Sequence, residues 1–188
     1  MQKWGQWAAR LLVLVGVGIG VVSLYTASMA GIMAKMGLVG ADASRMIDTN
    51  ELARRTRGVE TKYSCDMWSV ASKIPAYWGA GGSEKIEKMK EMGETRIECG
   101  ISYIKAGNVE RGVYTMVKGL YYLKNRYLLL RDWVEQDRRA CSLNGEHQYE
   151  SWVEAFLGAS QGSAQQVVMK IYKEVEEERA RVEEICIE

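Results

Sequence analysis

One proline, one phenylalanine and one histidine are all that the 188 residues contain of those three types. With proline confined to position 75, helices can run long, because an interior proline removes a backbone donor and clashes with the preceding turn. With histidine confined to position 147, the two-histidine HExxH zinc pattern is excluded. No GxSxG elbow, P-loop or CxxC pair occurs. A nucleophilic triad would have to rest on His147 alone, which reads as a surface or capping residue. Charge of one sign is missing too: Lys+Arg 25 against Asp+Glu 24 leaves +1, without the basic excess that nucleic-acid binding normally shows. Carboxylate pairs such as Glu87 and Glu91 have lysines between them and read as a solvated helix face. No stretch keeps up a period-two alternation, so no sheet is expected. The sequence therefore points away from an enzyme, a cofactor, a metal and a nucleic-acid partner. At 47% hydrophobic residues it is also too apolar for a disordered tail.

Those apolar residues are unevenly spread. Residues 11–34 read LLVLVGVGIGVVSLYTASMAGIMA, without a charge. As a helix, at ~1.5 Å per residue, this run spans ~36 Å, enough for a ~30 Å hydrocarbon core. Residues 1–10 form a short n-region in which Lys3 and Arg10 supply charge, and Trp4 and Trp7 suit a headgroup interface. Two readings are open. The run is a retained transmembrane anchor, or it is a signal peptide with Ser28 and Ala30 at the −3 and −1 positions and cleavage after Ala30. Basic residues flank both sides almost equally; the signal-like n-region favours the N-terminus inside and the C-terminal domain outside the membrane. Within the run, Gly16 and Gly20 form a GxxxG spacing that permits close helix packing in lipid. Gly18 does not complete a dinucleotide fingerprint, since no strand precedes it.

Beyond the run, residues 35–58 read as a tether holding a short polar helix, and residues 59–188 as one helical domain. The spacing predicts helices over 59–78, 83–106, 109–139, 148–157 and 164–185, separated at GAGG (79–82), Gly107-Asn108, Asn144-Gly145 and GASQGS (158–163). In the second of these, Ile86, Met89, Gly93, Ile97, Ile101 and Ile104 mark the buried side. Gly107 suits the left-handed position after a helix and Asn108 the cap of the next. Tyr121, Tyr122, Tyr127 and Trp133 pack in a core or line a groove. In the last helix, Val168, Val175 and Val182 recur every seven residues beside Ile171 and Ile185, with Glu178 interrupting. That stripe serves the chain's own bundle or a coiled-coil partner. The fold class is all-α: an N-terminal membrane or signal helix followed by an antiparallel bundle of about four to five helices.

One stretch carries a family likeness. The positions Gly100, Tyr103, Gly107, Asn108, Gly112, Met116, Gly119 and Leu120 follow the small-and-large spacing of a helical hairpin, and residues 93–126 resemble one tetratricopeptide repeat. Arg96 stands where that motif usually has Trp, Met116 where it has an aromatic, and Lys124 where it has Pro; no second copy is present. The chain is also faintly similar to signal-anchored helical bacterial proteins of unknown function. What the resemblance implies is a packed αα-hairpin with small residues at the contact.

Cys65, Cys99, Cys141 and Cys186 all lie beyond the apolar run. Four cysteines allow three pairings. Cys65 precedes Gly81 by 16 residues and Cys99 follows it by 18, so an antiparallel hairpin brings them to nearly equal height. Cys99 and Cys141 would be separated by ~36 Å along the next hairpin, far beyond disulfide reach. The arithmetic predicts Cys65–Cys99 and, by elimination, Cys141–Cys186; four buried thiols in a reducing compartment are the alternative. Taken together, the expected function is a membrane-anchored, non-enzymatic interaction or structural module displayed outside the membrane. Its expected partners are the lipid bilayer and another protein or a second copy. A secreted helical protein or ligand binder is the alternative.

Overall fold

A computed structural model describes residues 45–57, 65, 75–145 and 149–187. The apolar run with Gly16 and Gly20, most of the expected 59–78 helix, and His147 lie outside the described residues. Among the described residues the chain is helical, and no helix is long and apolar enough to cross a membrane. The only strand-like pairing described is an isolated antiparallel bridge between Ile47 and Ser160. In chain order the elements are α1 (Thr49–Arg55), α2 (Gly82–Lys105), α3 (Val109–Val134), a 3-10 turn (Arg138–Leu143), α4 (Tyr149–Ala159) and α5 (Gly162–Ile187).

The α2–α3 hairpin is the centre of the molecule. Gly107, at φ +83°, ends α2 where a side chain would be strained. Its N–H donates to the Ile104 carbonyl at 2.9 Å and the Asn108 N–H to the Tyr103 carbonyl at 2.9 Å, a Schellman closure of the helix end. Asn108 then caps α3, its side chain accepting from the Arg111 N–H at 3.3 Å. Along the helices, Gly100 faces Gly112 and Gly93 faces Gly119. A Cβ added at Gly112 would stand 2.6 Å from the Gly100 carbonyl oxygen. One added at Gly119 would stand 2.7 Å from the Gly93 oxygen and 3.0 Å from the Ile97 nitrogen. The two backbones touch where side chains are missing. Large residues fill the space beside these contacts: Ile97, Ile101, Ile104, Met116, Leu120 and Leu123 are buried.

α5 lies along α3 in the same direction, because Lys124 meets Glu174, Arg131 meets Glu178 and Cys141 meets Cys186 in rising order. The expected antiparallel order is therefore corrected at this pair. Two long helices can run parallel only if the chain returns between them, and α4 with the 3-10 turn makes that return. α4 is antiparallel to α5: Arg179 pairs with Glu150, while the Gln165 side chain donates to the Leu157 carbonyl at 2.9 Å. Val168, Ile171, Val175 and Val182 are buried within this chain. Glu178, which breaks the apolar series, is also nearly buried; its carboxylate accepts from Arg131 at 2.7 Å and Arg181 at 2.6 Å.

Residues 45–57 are not the free tether expected for 35–58. Ile47 and Leu52 are buried in the core, the Asp48 N–H donates to the Ala159 carbonyl, and the Gln161 N–H to the Met46 carbonyl, each at 2.8 Å. Asp48 caps α1 by accepting from the N–H groups of Asn50 and Glu51. The polar composition hid two apolar residues that suffice to dock a short helix. Similarly, α3 stops at Val134 instead of Arg139, since Asp137 caps the 3-10 turn that follows, accepting from the Arg139 N–H at 3.0 Å.

Gly112→Ala and Gly119→Ala each force a Cβ into opposing backbone and should cost about 1–3 kcal/mol, the range for overpacking. Gly79→Ala, with nothing within 4 Å of its added Cβ, should stay within about 0.5 kcal/mol. Chemical denaturation of the three variants checks this, and equal stabilities would refute the backbone contact.

Candidate functional site: disulfide staples and an aromatic cluster

The four cysteines pair as the helix arithmetic expects. Cys65 and Cys99 are bonded with Cα atoms 5.2 Å apart, and Cys141 and Cys186 with Cα atoms 5.7 Å apart, both inside the range disulfides require. None of the four is free. Tyr103 serves the first bond: its hydroxyl donates to the Cys65 carbonyl at 3.0 Å and accepts from the Arg111 guanidinium at 3.2 Å. That guanidinium also stacks 4.1 Å from the Tyr103 ring centre. Tyr103 is half-buried and lies against the Cys65 backbone, whereas Gly100, Gly112, Met116 and Gly119 lie at the α2–α3 contact. The second bond ties the 3-10 turn to the end of α5, where the Arg138 guanidinium also donates to the Ile185 carbonyl.

Near that second bond is a polar cluster that the sequence did not reveal. Tyr127 and Tyr149 share a hydrogen bond, and the Tyr149 hydroxyl donates to Glu176 at 3.0 Å. Arg179 reaches Glu150, Glu176 and Glu183. Burial pushes the phenols of Tyr127 and Tyr172 up to about 12, pushes Tyr149 further still, and raises the Glu176 carboxyl. Arg126 is fully buried beside this cluster, 5.0 Å from the centre of the Tyr127 ring. It donates to the Leu143 carbonyl, while its Nε and Nη1 have no hydrogen-bond partner among the described residues. Protonated phenols and a paired arginine hold helices together here. Among the described residues no group of His, Cys, Asp and Glu could hold a metal ion. Glu91 pairs with Lys88 at 3.3 Å, which leaves the Glu87–Glu91 stretch an ordinary charged face.

The surface feature with most character is aromatic. The Tyr77 ring meets Trp78 and Tyr122 edge-on, with centres 6.1 and 5.6 Å apart. Lys85 lies 5.6 Å from the Tyr77 centre and Arg96 5.1 Å from that of Tyr122. Trp78 is 76% exposed, unusual for so large an apolar side chain. The four aromatics expected together are dispersed: Tyr127 is core, Tyr121 exposed, Tyr122 joins Tyr77, and Trp133 covers Gly82. Trp78 could have been suspected from its place beside the GAGG break, with no apolar partner a turn further on. No family model, curated protein or solved structure matches the chain.

Two predictions follow from the polar cluster. Unfolded tyrosines ionise near pH 10, so above that value the unfolded state loses protons that Tyr127, Tyr149 and Tyr172 retain, and stability falls as pH rises. Absorbance titration should show Tyr127 and Tyr172 ionising only near pH 12 and Tyr149 later than either, or all three on unfolding; ordinary titration of all ten would refute their burial. Arg126→Met keeps the packed stem and removes an uncompensated charge, so unfolding free energy should hold or rise by about 1 kcal/mol. A loss above about 3 kcal/mol would mean that the charge is paired.

Proposed function

We propose that this chain is a membrane-anchored helical interaction module, non-enzymatic and displayed outside the membrane. The observation that carries the reading is the pairing of all four cysteines within one helical bundle. Disulfides persist in oxidising compartments, so a chain that uses every cysteine this way belongs on the extracytoplasmic side. The uncharged run at 11–34 supplies the anchor, with Gly16 and Gly20 available for helix–helix packing in lipid. Exposed Trp78 beside half-buried Tyr77 and Tyr122, flanked by Lys85 and Arg96, has the aromatic and cationic character of protein interfaces. It favours a protein partner or a second copy as the bound molecule, as the tetratricopeptide-like spacing of residues 93–126 also does. The alternative, a secreted helical protein or ligand binder, differs only in cleavage after Ala30.

Protein from the membrane fraction of an expressing cell should show no alkylatable thiol before reduction and four afterwards. Its intact mass should retain Met1 or Gln2, and external protease should reach the helical domain. Four reactive thiols in the native protein would overturn the exported topology, and a mature chain beginning at Gly31 would replace the anchor by the secreted form.

A further inference from the structure

We infer that α3 pairs antiparallel with α3 of a second copy, an inference that names the partner of the interaction module proposed above and rests on that reading. α3 packs one side on α2 and another on α5, and its remaining side faces solvent. Lys118, Tyr121, Asn125, Leu129 and Asp132 fall on that side, within about 80° of arc at ~100° per residue. Tyr121 is 48% exposed and Leu129 37%, two large apolar side chains left open on one helix face. Asn125 between them is exposed as well. At one end of the face Lys118 lies 4.7 Å from the centre of the Tyr114 ring. At the other, the Asp132 side chain is 66% exposed; its nearest cation, Arg131, stands 3.9 Å away and is held by Glu178 at 2.7 Å.

The order of charges along this face selects the occupant. Lys118, Asn125 and Asp132 recur every seven residues, the seam spacing of paired helices. Parallel pairing of two copies would set Lys118 against Lys118 and Asp132 against Asp132. Antiparallel pairing about a two-fold axis at Asn125 sets each residue opposite the one equally far beyond Asn125. Lys118 then meets Asp132 of the second copy and Tyr121 meets its Leu129, and the symmetry makes each contact twice. Asn125 meets itself on the axis, where the two side-chain amides can donate to and accept from each other. A polar residue at such a seam fixes the register. The contact is isologous and closes at two copies. Tyr122, at the edge of the face, meets Tyr77 beside exposed Trp78, so the aromatic cluster borders the same contact.

Full-length protein in detergent, with its disulfides intact, tests this by sedimentation and by cross-linking. At about 10–100 μM, a range suited to a contact smaller than a standard interface, it should sediment as a dimer. Lys118→Glu or Asp132→Lys alone should raise the dissociation constant about tenfold or more, because each brings like charges together at two places. The two substitutions in one chain should restore it. Asn125→Cys should oxidise to a cross-linked dimer, and Tyr121→Cys should cross-link to Leu129→Cys in a mixture but not to itself. Unchanged denaturation midpoints show that the variants remain folded. A monomer across that range, or a double variant that fails to recover, overturns the pairing. A dimer lost with Gly16→Leu/Gly20→Leu and indifferent to the α3 charges belongs to the anchor and overturns it as well. The anchored, exported reading fails separately, by reactive thiols or by a mature chain beginning at Gly31.

Discussion

Two helices can approach until their backbones touch only where neither carries a side chain at the crossing. In α2 and α3 this condition is met twice, at Gly93 with Gly119 and at Gly100 with Gly112, in steps of seven residues along each helix. Seven residues make nearly two turns, so both contacts fall on the same stripe. Glycine weakens an isolated helix by roughly 1 kcal/mol relative to alanine, and four of them represent a sizeable local cost. Dispersion between closely packed atoms and the burial of Ile97, Ile101, Ile104, Leu120 and Leu123 offset it. Everything else is arranged on this pair: α5 lies along α3, α4 bridges the two, and Cys99 anchors residue 65 to α2.

Much of this was legible. Gly107-Asn108 announced both a helix stop and a helix start, because each residue has a distinct backbone reason for its place. The Cys65–Cys99 pairing followed from helix rise, since distance along a helix is fixed by residue count, and Cys141–Cys186 followed by elimination. The buried face of α2 followed from its periodicity. What escaped the sequence depends on contacts between distant segments. Leu52 sits in a polar stretch and reads as linker until Ala159 and Ser160 are brought beside Ile47 and Asp48. Glu178 reads as a flaw in an apolar series until Arg131, 47 residues earlier, is placed opposite it. The parallel course of α3 and α5 was hidden because the short connecting pieces left the return path of α4 undetermined.

The candidate surface was less legible than the fold. Tyr121, Tyr122, Tyr127 and Trp133 look alike in a string of aromatics, yet a helix turns them to different sides, and only Tyr122 joins Tyr77 and Trp78. Its companions Tyr77 and Trp78 come from the far side of a glycine-rich break. Composition identifies neither the grouping nor its exposure. The polar network around Tyr149 is similarly non-local: it is assembled from three helices, and each member alone resembles an ordinary surface residue.

The two disulfides also alter what a cut in the chain would mean. Cys141 and Cys186 enclose the connection between the 3-10 turn and α4, and Cys65 and Cys99 enclose the glycine-rich break before α2. A hydrolysed peptide bond inside either ring leaves the two pieces covalently joined, and their packed helices hold them in register. In surroundings rich in proteases, a cut inside either ring therefore leaves the pieces joined, whereas one at the exposed Gly107–Asn108 turn, which neither ring encloses, separates them.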